Sequence, residues 1–284
     1  MTSRRDFLKS SAIAACALAL NRNRLWALEE FPIGVQLYTV RHVAEKNLPK
    51  ALAEISKIGY TEIETYAGSY VFPATQLEYM IHQVGLVAPS GHFNYDTLIK
   101  QLPYASQLGL KWVVCPMIPH SMWTLEGFRA AAKQFNEFGK RAKDVGLRFA
   151  FHNHDYEFAD YGGGKTGYEI LVAETDPELV SFELDCYWAV QAGHDPLTML
   201  RTMGRRIRML HLKDRKAGFP ISYNTGPSSA HFLPVGQGSI DWKPILAEAE
   251  RLQVEHYFVE QDDTYGHPFK SIHESYKNLR KMLD

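Results

Sequence analysis

The chain has 284 residues, 31 Lys and Arg against 32 Asp and Glu, a formal charge of −1, and 45% hydrophobic and 12% aromatic residues. This balance excludes a disordered, collagenous or disulfide-stapled chain, and Cys16, Cys115 and Cys186, an odd set without CxxC spacing, supply neither a disulfide framework nor a zinc–thiolate site. Residues 1–28 hold Arg4, Arg5, Lys9, Arg22 and Arg24 against Asp6; without these five bases and one acid, 26 bases and 31 acids remain, a body of −5 with no basic stripe for nucleic acid.

At the front, Thr2-Ser3-Arg4-Arg5-Asp6-Phe7-Leu8-Lys9 precedes an apolar run from Ala12 to Leu20, too short to span a bilayer but suited to a signal h-region. The paired arginines beside Phe-Leu-Lys resemble a twin-arginine (Tat) signal peptide, with Ala17-Leu18-Ala19 or Leu25-Trp26-Ala27 as the cleavage site. The resemblance implies a signal over residues 1–28, passage through the Tat translocon in a folded state with any cofactor already loaded, and a periplasmic or exported address. Ile13-Ala14-Ala15-Cys16 also looks like a lipobox, and lipid anchoring at Cys16 is the lesser alternative.

Residues 29–284 alternate short β-rich runs with longer amphipathic segments. The strands are predicted at Ile33–Leu37, Glu62–Thr65, Val87–Ser90, Trp112–Cys115, Arg148–His152, Val180–Asp185, Ile207–His211 and Tyr257–Glu260. Helices are predicted at Leu48–Ile58, Leu125–Val145, Pro196–Met203, Trp242–Leu252 and Phe269–Leu283, and Gly59, Gly85, Gly109 and Gly146 are placed to close helices in a left-handed conformation. Eight such units without a linker in about 250 residues predict a single-domain (β/α)8 TIM barrel, with an open doubly wound sheet as the competing fold. The stretch from Arg215 to Pro234, rich in Gly, Ser and Pro, reads as a loop beside the site.

A barrel predicts that reactive side chains gather at the C-terminal strand ends. Strand five ends in Phe151-His152-Asn153-His154-Asp155-Tyr156-Glu157, strand six in Phe182-Glu183-Leu184-Asp185, strand seven in Met209-Leu210-His211-Leu212-Lys213-Asp214, and strand eight in Phe258-Val259-Glu260-Gln261-Asp262. This mixture of carboxylates and imidazoles suits a divalent ion such as Mn²⁺, Zn²⁺, Co²⁺ or Mg²⁺. Period-two alternation puts Asp185 on a face with Glu183, His211 with Met209 and Lys213, Glu260 with Phe258 and Asp262, and His152 with His154. Asp214 and Asp262 are also readable as turn formers. Gln36, Tyr38, Glu64 and His92, at or after the first three strand ends, are candidate sugar-pocket residues, as is Trp188 through its apolar face.

Leu184-Asp185 with Trp188 and Gly193 downstream, His211-Leu212-Lys213-Asp214, Val235-Gly236-Gln237-Gly238-Ser239-Ile240-Asp241 and Val259-Glu260 resemble the sugar phosphate isomerase/epimerase family of xylose isomerase-like TIM barrels. The resemblance runs from Ile33-Gly34-Val35-Gln36-Leu37-Tyr38 to the last helix. It implies one divalent metal held by residues from strands five to eight, with Asp185, His211 and Glu260 matching directly. The strand-five position departs from the family's glutamate: Glu157 is the favoured fourth ligand and His152 its rival.

The implied chemistry is removal of a proton next to a carbonyl to form an enediolate, with Glu260 and Glu157 or His152 as the acid–base groups and His154, Trp188, Lys213, Gln36, Glu64 and His92 contacting a sugar or glycoside. Return of the proton gives an isomerase or epimerase; expulsion of a β-substituent gives a lyase or dehydratase, as in the family's inosose dehydratases or a keto-glycoside-cleaving homologue. An exported sugar-binding protein without turnover is the alternative from another class. No phosphate cradle is evident, and assembly into a homo-oligomer is left open by the sequence.

Overall fold

A computed structural model describes residues 32–225 and 231–283 of the chain; the expected export signal, with Cys16, lies outside the described residues. Eight parallel strands close a barrel: β1 (Gly34–Gln36), β2 (Glu62–Thr65), β3 (Val87–His92), β4 (Trp112–Cys115), β5 (Arg148–His152), β6 (Val180–Asp185), β7 (Ile207–Leu212) and, last in the chain, β10 (His256–Val259), which returns between β7 and β1. A parallel strand covered on both faces must be apolar throughout, and Trp112–Cys115 is buried at every position. A two-stranded antiparallel hairpin absent from the sequence reading, β8 (Asp214–Arg215) with β9 (Phe232–Leu233), stands above the barrel after β7.

The helices outside the barrel follow the local signals that predict them. Asn47 accepts from the Lys50 N–H at 3.0 Å to open α2 (Leu48–Ile58), and Thr124 accepts from the Gly127 N–H at 3.0 Å to open the long α5 (Leu125–Asp144). Phe128, Phe135 and Phe138 of α5 are buried, the last two with their rings 5.3 and 5.5 Å from that of Phe149 on β5. Gly59, Gly85, Gly109 and Gly146 have φ of 117°, 75°, 80° and 79°, so each turns the chain where an L side chain would be strained. The barrel interior carries an apolar layer of Trp112, Val114, Ala150, Met209 and Phe258, all fully buried. Cys115 and Cys186 are free and buried, consistent with a fold held by packing.

Register decides what meets above that layer. His152 pairs with Glu183, Asp185 with His211, His211 with Phe258, and Glu64 with Ser90. A register shift between Phe182 and Glu183 on β6 sets Asp185 directly beside His211.

Candidate active site

The lower shell of the barrel mouth is built on two carboxylates. Glu64, fully buried, accepts from Gln36 Nε2 at 2.8 Å and Ser90 Oγ at 2.5 Å, and its Oε2 lies 2.7 Å from His211 Nε2 and 3.0 Å from His92 Nε2. Glu183 Oε2 lies 2.8 Å from His92 Nε2, 3.0 Å from His152 Nδ1 and 3.3 Å from His211 Nε2. Three imidazoles thus surround Glu183.

The upper shell uses the other ring nitrogens. His211 Nδ1 is 2.8 Å from Glu260 Oε2 and 3.8 Å from Asp185 Oδ2, and His152 Nε2 is 3.8 Å from the same Asp185 oxygen. Lys213 Nζ sits 3.1 Å from Asp185, 2.8 Å from Glu260 and 2.9 Å from Asp262. Asp185 serves two ends: Oδ1 accepts from the Trp188 N–H at 2.9 Å and caps the helix α7 (Cys186–Gln191), while Oδ2 faces the site and is buried without a hydrogen bond, its contact with Lys213 lacking the geometry for one. Asn153 Oδ1 accepts from the Asp185 N–H at 3.0 Å, fixing that strand end.

Electrostatics separates the groups. Burial would raise Glu64, but His92 and His211 beside it hold its carboxyl well below the usual range; burial opposes His92 too, yet Glu64 and Glu183 lift it to about 9. Burial, with Glu64 nearby, pushes Glu183 up to about 7. Burial also keeps His152 far below an ordinary histidine, reinforced by the neighbouring His211 and His92, and takes His154 down to about 3. Glu260 resists the upward push of burial because Lys213 and His211 hold it well below the carboxylate range. Burial lifts Asp185, and raises Asp262 to about 6 against the pull of Lys213. The site therefore pairs a firmly anionic Glu260 with a neutral His152.

These shells floor a cavity of about 640 Å³. Of the predicted sugar-pocket residues, His92, His154, Trp188 and Tyr38 line it, together with His152 and Glu260. Gln36 and Glu64 are fully buried beneath it, where they orient His211 rather than form a wall. Lys213, only 1% exposed, clamps three carboxylates.

Glu157 departs most from expectation. It lies in the short 3-10 turn Tyr156–Phe158, where its Oε2 accepts from the His154 N–H of the same loop at 3.0 Å, and it belongs to neither metal-capable group. Burial pushes its carboxyl up to about 8. The strand-five side chain that reaches the site is His152. Glu183 also belongs to the site; in the sequence its sole signal is strand alternation, which puts it on the face of Asp185.

Asp214 organises the loop after the hairpin. Its carboxylate accepts from the N–H groups of Gly236 and Gly238, at 2.8 and 3.0 Å, and from Trp242 Nε1 at 3.0 Å. A Cβ on Gly238 would strike that carboxylate, which is why the Gly-Gln-Gly run stands there. Asp214 is a turn organiser, as its alternative reading has it.

Among the described residues, two groups of side chains present ligand atoms within 4.8 Å of one another: His92, His152, Glu183 and His211 below, and Asp185, His211 and Glu260 above. Buried oxygens without a hydrogen bond, Asp185 Oδ2 and Glu183 Oε1, and the mixed nitrogen–oxygen donor set both fit a dication. The family model for the xylose isomerase-like TIM barrel matches residues 44–282. The chain belongs to this family. An inosose dehydratase of Lacticaseibacillus casei is 29% identical over 179 residues, which cover 58% of this chain and 57% of that enzyme, so the match spans little more than half the relative's length. A sugar phosphate isomerase/epimerase of Parabacteroides distasonis superposes with a TM-score of 0.77 at 22% identity, over 89% of this chain and 98% of that one. An IolI protein crystallised with a bound zinc atom superposes with a TM-score of 0.71 at 16% identity, over 89% and 98% of the two chains. These neighbours share the barrel fold; the chemistry of this member rests on its own residues.

Proposed function

We propose that this chain is a divalent-metal-dependent enzyme that isomerises or epimerises a sugar or keto sugar through an enediolate. The observation that carries the reading is the convergence of Asp185, His211 and Glu260 at the floor of a cavity in the mouth of an isomerase-type barrel. These three would hold the ion, with His152 as the strand-five group facing Asp185. The zinc of the IolI neighbour favours zinc, though manganese, cobalt and magnesium suit the same donors. When bound, such an ion supplies Lewis acidity to a carbonyl and an adjacent hydroxyl, making the C–H between them acidic.

The chain's own groups divide the proton work. Glu260, held anionic by Lys213 and His211, is the base; His152, neutral and facing the cavity, takes or returns a proton from another side. Their strands stand three places apart around the barrel, so they address the substrate from different directions. Trp188 and His154 line the cavity beside them and flank the ring. Lys213 keeps Glu260 charged without entering the reaction.

The inosose dehydratase relative supports a second reading, loss of a β-substituent from the same enediolate. Proton NMR of purified enzyme with keto sugars and aldoses in D₂O tests both. Deuterium entering next to the carbonyl with an epimer or the aldose/ketose partner as product supports the first; an unsaturated product with a departed β-group supports the second. Absence of exchange with metal-loaded protein contradicts both and favours a sugar-binding protein without turnover. We further propose that residues 1–28 direct export in the folded state; Arg4→Lys with Arg5→Lys retaining the protein in the cytoplasm would support this, and unchanged export would refute it.

A further inference from the structure

We propose that the lower shell, His92, His152, Glu183 and His211, is a second dication site, joined to the Asp185–His211–Glu260 group through His211 and selective for a nitrogen-preferring ion such as Zn²⁺ or Co²⁺ over Mg²⁺ or Mn²⁺. The site shares His152 and His211 with the reaction proposed above, which does not itself require an ion there.

The geometry is that of a coordination shell. Four ligand atoms, three of them imidazole nitrogens, lie within 4.8 Å of one another, and Glu183 Oε2 is 2.8, 3.0 and 3.3 Å from the nitrogens of His92, His152 and His211. A tetrahedral zinc with bonds of about 2.0–2.1 Å separates its ligand atoms by about 3.3 Å, and the Glu183 oxygen already stands within about half an ångström of that spacing from all three nitrogens. The three rings form a triangle with centroids 4.5, 5.0 and 5.4 Å apart. Glu64 Oε2, already 2.7 and 3.0 Å from two of the same nitrogens, closes the shell as a further oxygen.

Three more observations point to a ligand. Glu183 is fully buried, yet its Oε1 has no hydrogen-bond partner. One dication would take over the counter-charge that His92 and His211 supply to the two buried carboxylates, Glu64 and Glu183. His211 turns Nε2 to the lower shell and Nδ1 to the upper one; since a neutral imidazole offers one lone pair, both ions bind together with His211 as a bridging imidazolate whose N–H proton has left to solvent. His92 and His152 line the cavity and give an ion its way in. A shell of three imidazoles ranks Zn²⁺ and Co²⁺ above the oxygen-seeking Mg²⁺ and Mn²⁺.

The test is metal counting on the whole chain, stripped with chelator and dialysed against Zn²⁺ or Mn²⁺. Wild type is expected to retain two zinc ions, His92→Asn and Glu183→Gln one each, and Asp185→Asn with Glu260→Gln the lower one. Mn²⁺ is expected to fill one site only. The proposal is overturned if His92→Asn and Glu183→Gln, folded by circular dichroism, hold as much zinc as wild type. Should they fail to fold, X-ray absorption of zinc-loaded wild type decides: two or more imidazoles per zinc support the lower site, and one per zinc refutes it. Loss of only the upper ion's binding in wild type would sink the proposed reaction and leave this site standing, so the two failures are distinguishable.

Discussion

Histidine and glutamate meet at both ends of this barrel, with different outcomes. At the N-terminal end, His256 Nδ1 lies 2.9 Å from Glu62 Oε2, one pair joining the first residues of β10 and β2. At the C-terminal end, Glu64, two residues further along the same strand, meets His211 and His92, which also contact Glu183, while His211 goes on to Glu260. Between them lies the apolar layer of Trp112, Val114, Ala150, Met209 and Phe258. The same residue types make a single strut on one side of the layer and a multi-centre cluster on the other. A single His–Glu contact by itself is therefore no sign of function; convergence from several strands onto one cavity is.

The largest break in this comparison is expected at the upper shell. Asp185→Asn combined with His211→Ala should lower turnover by about 10³-fold or more and strip the upper metal, measured by steady-state rates and elemental analysis. Phe258→Ala removes a ring from the dividing layer and should cost about 3–5 kcal/mol in denaturant unfolding. If it instead altered metal selectivity with little loss of stability, the layer would not be the partition described.

A smaller, pH-dependent effect is expected at Glu157, whose buried carboxyl is raised from 4.5 to about 8. Because the folded-state value lies above the unfolded one, the neutral acid is favoured by folding at low pH, and that stabilisation is lost as pH rises from about 4.5 through 8. Glu157→Gln should thus raise the melting temperature by roughly 2–4 °C or more at pH 9 and change it little at pH 5. A gain independent of pH would show that Glu157 is not buried as a neutral acid. The least effect is expected at the lower end, where His256→Gln should cost about 1 kcal/mol and leave turnover within about twofold of wild type.

The barrel was legible because its signals are local: strand ends such as Glu62–Thr65 and Val180–Asp185, and the four left-handed glycines, follow from punctuation and periodicity. Strand alternation and the family motif both single out Asp185, His211 and Glu260, whose ligand atoms the fold brings within 4.8 Å of one another. Glu157 was not legible, since whether a residue five positions past His152 folds back depends on a turn, and here the Tyr156–Phe158 turn aims its carboxylate at the backbone of His154. The β8–β9 hairpin was hidden for a related reason: it pairs Asp214 with Leu233 across a long Gly-, Ser- and Pro-rich stretch rather than through a two-residue turn between alternating runs. The roles of Gln36 and Glu64 also needed the third dimension, because a strand-end polar residue reads alike whether it faces the cavity or supports a histidine beneath it.

The most direct test of the account is anomalous diffraction from crystals loaded with Zn²⁺ or Mn²⁺. A peak is expected within bonding distance of Asp185, His211 and Glu260 at the cavity floor, and none at His256 and Glu62. Full loading with no peak at the three upper residues would contradict it.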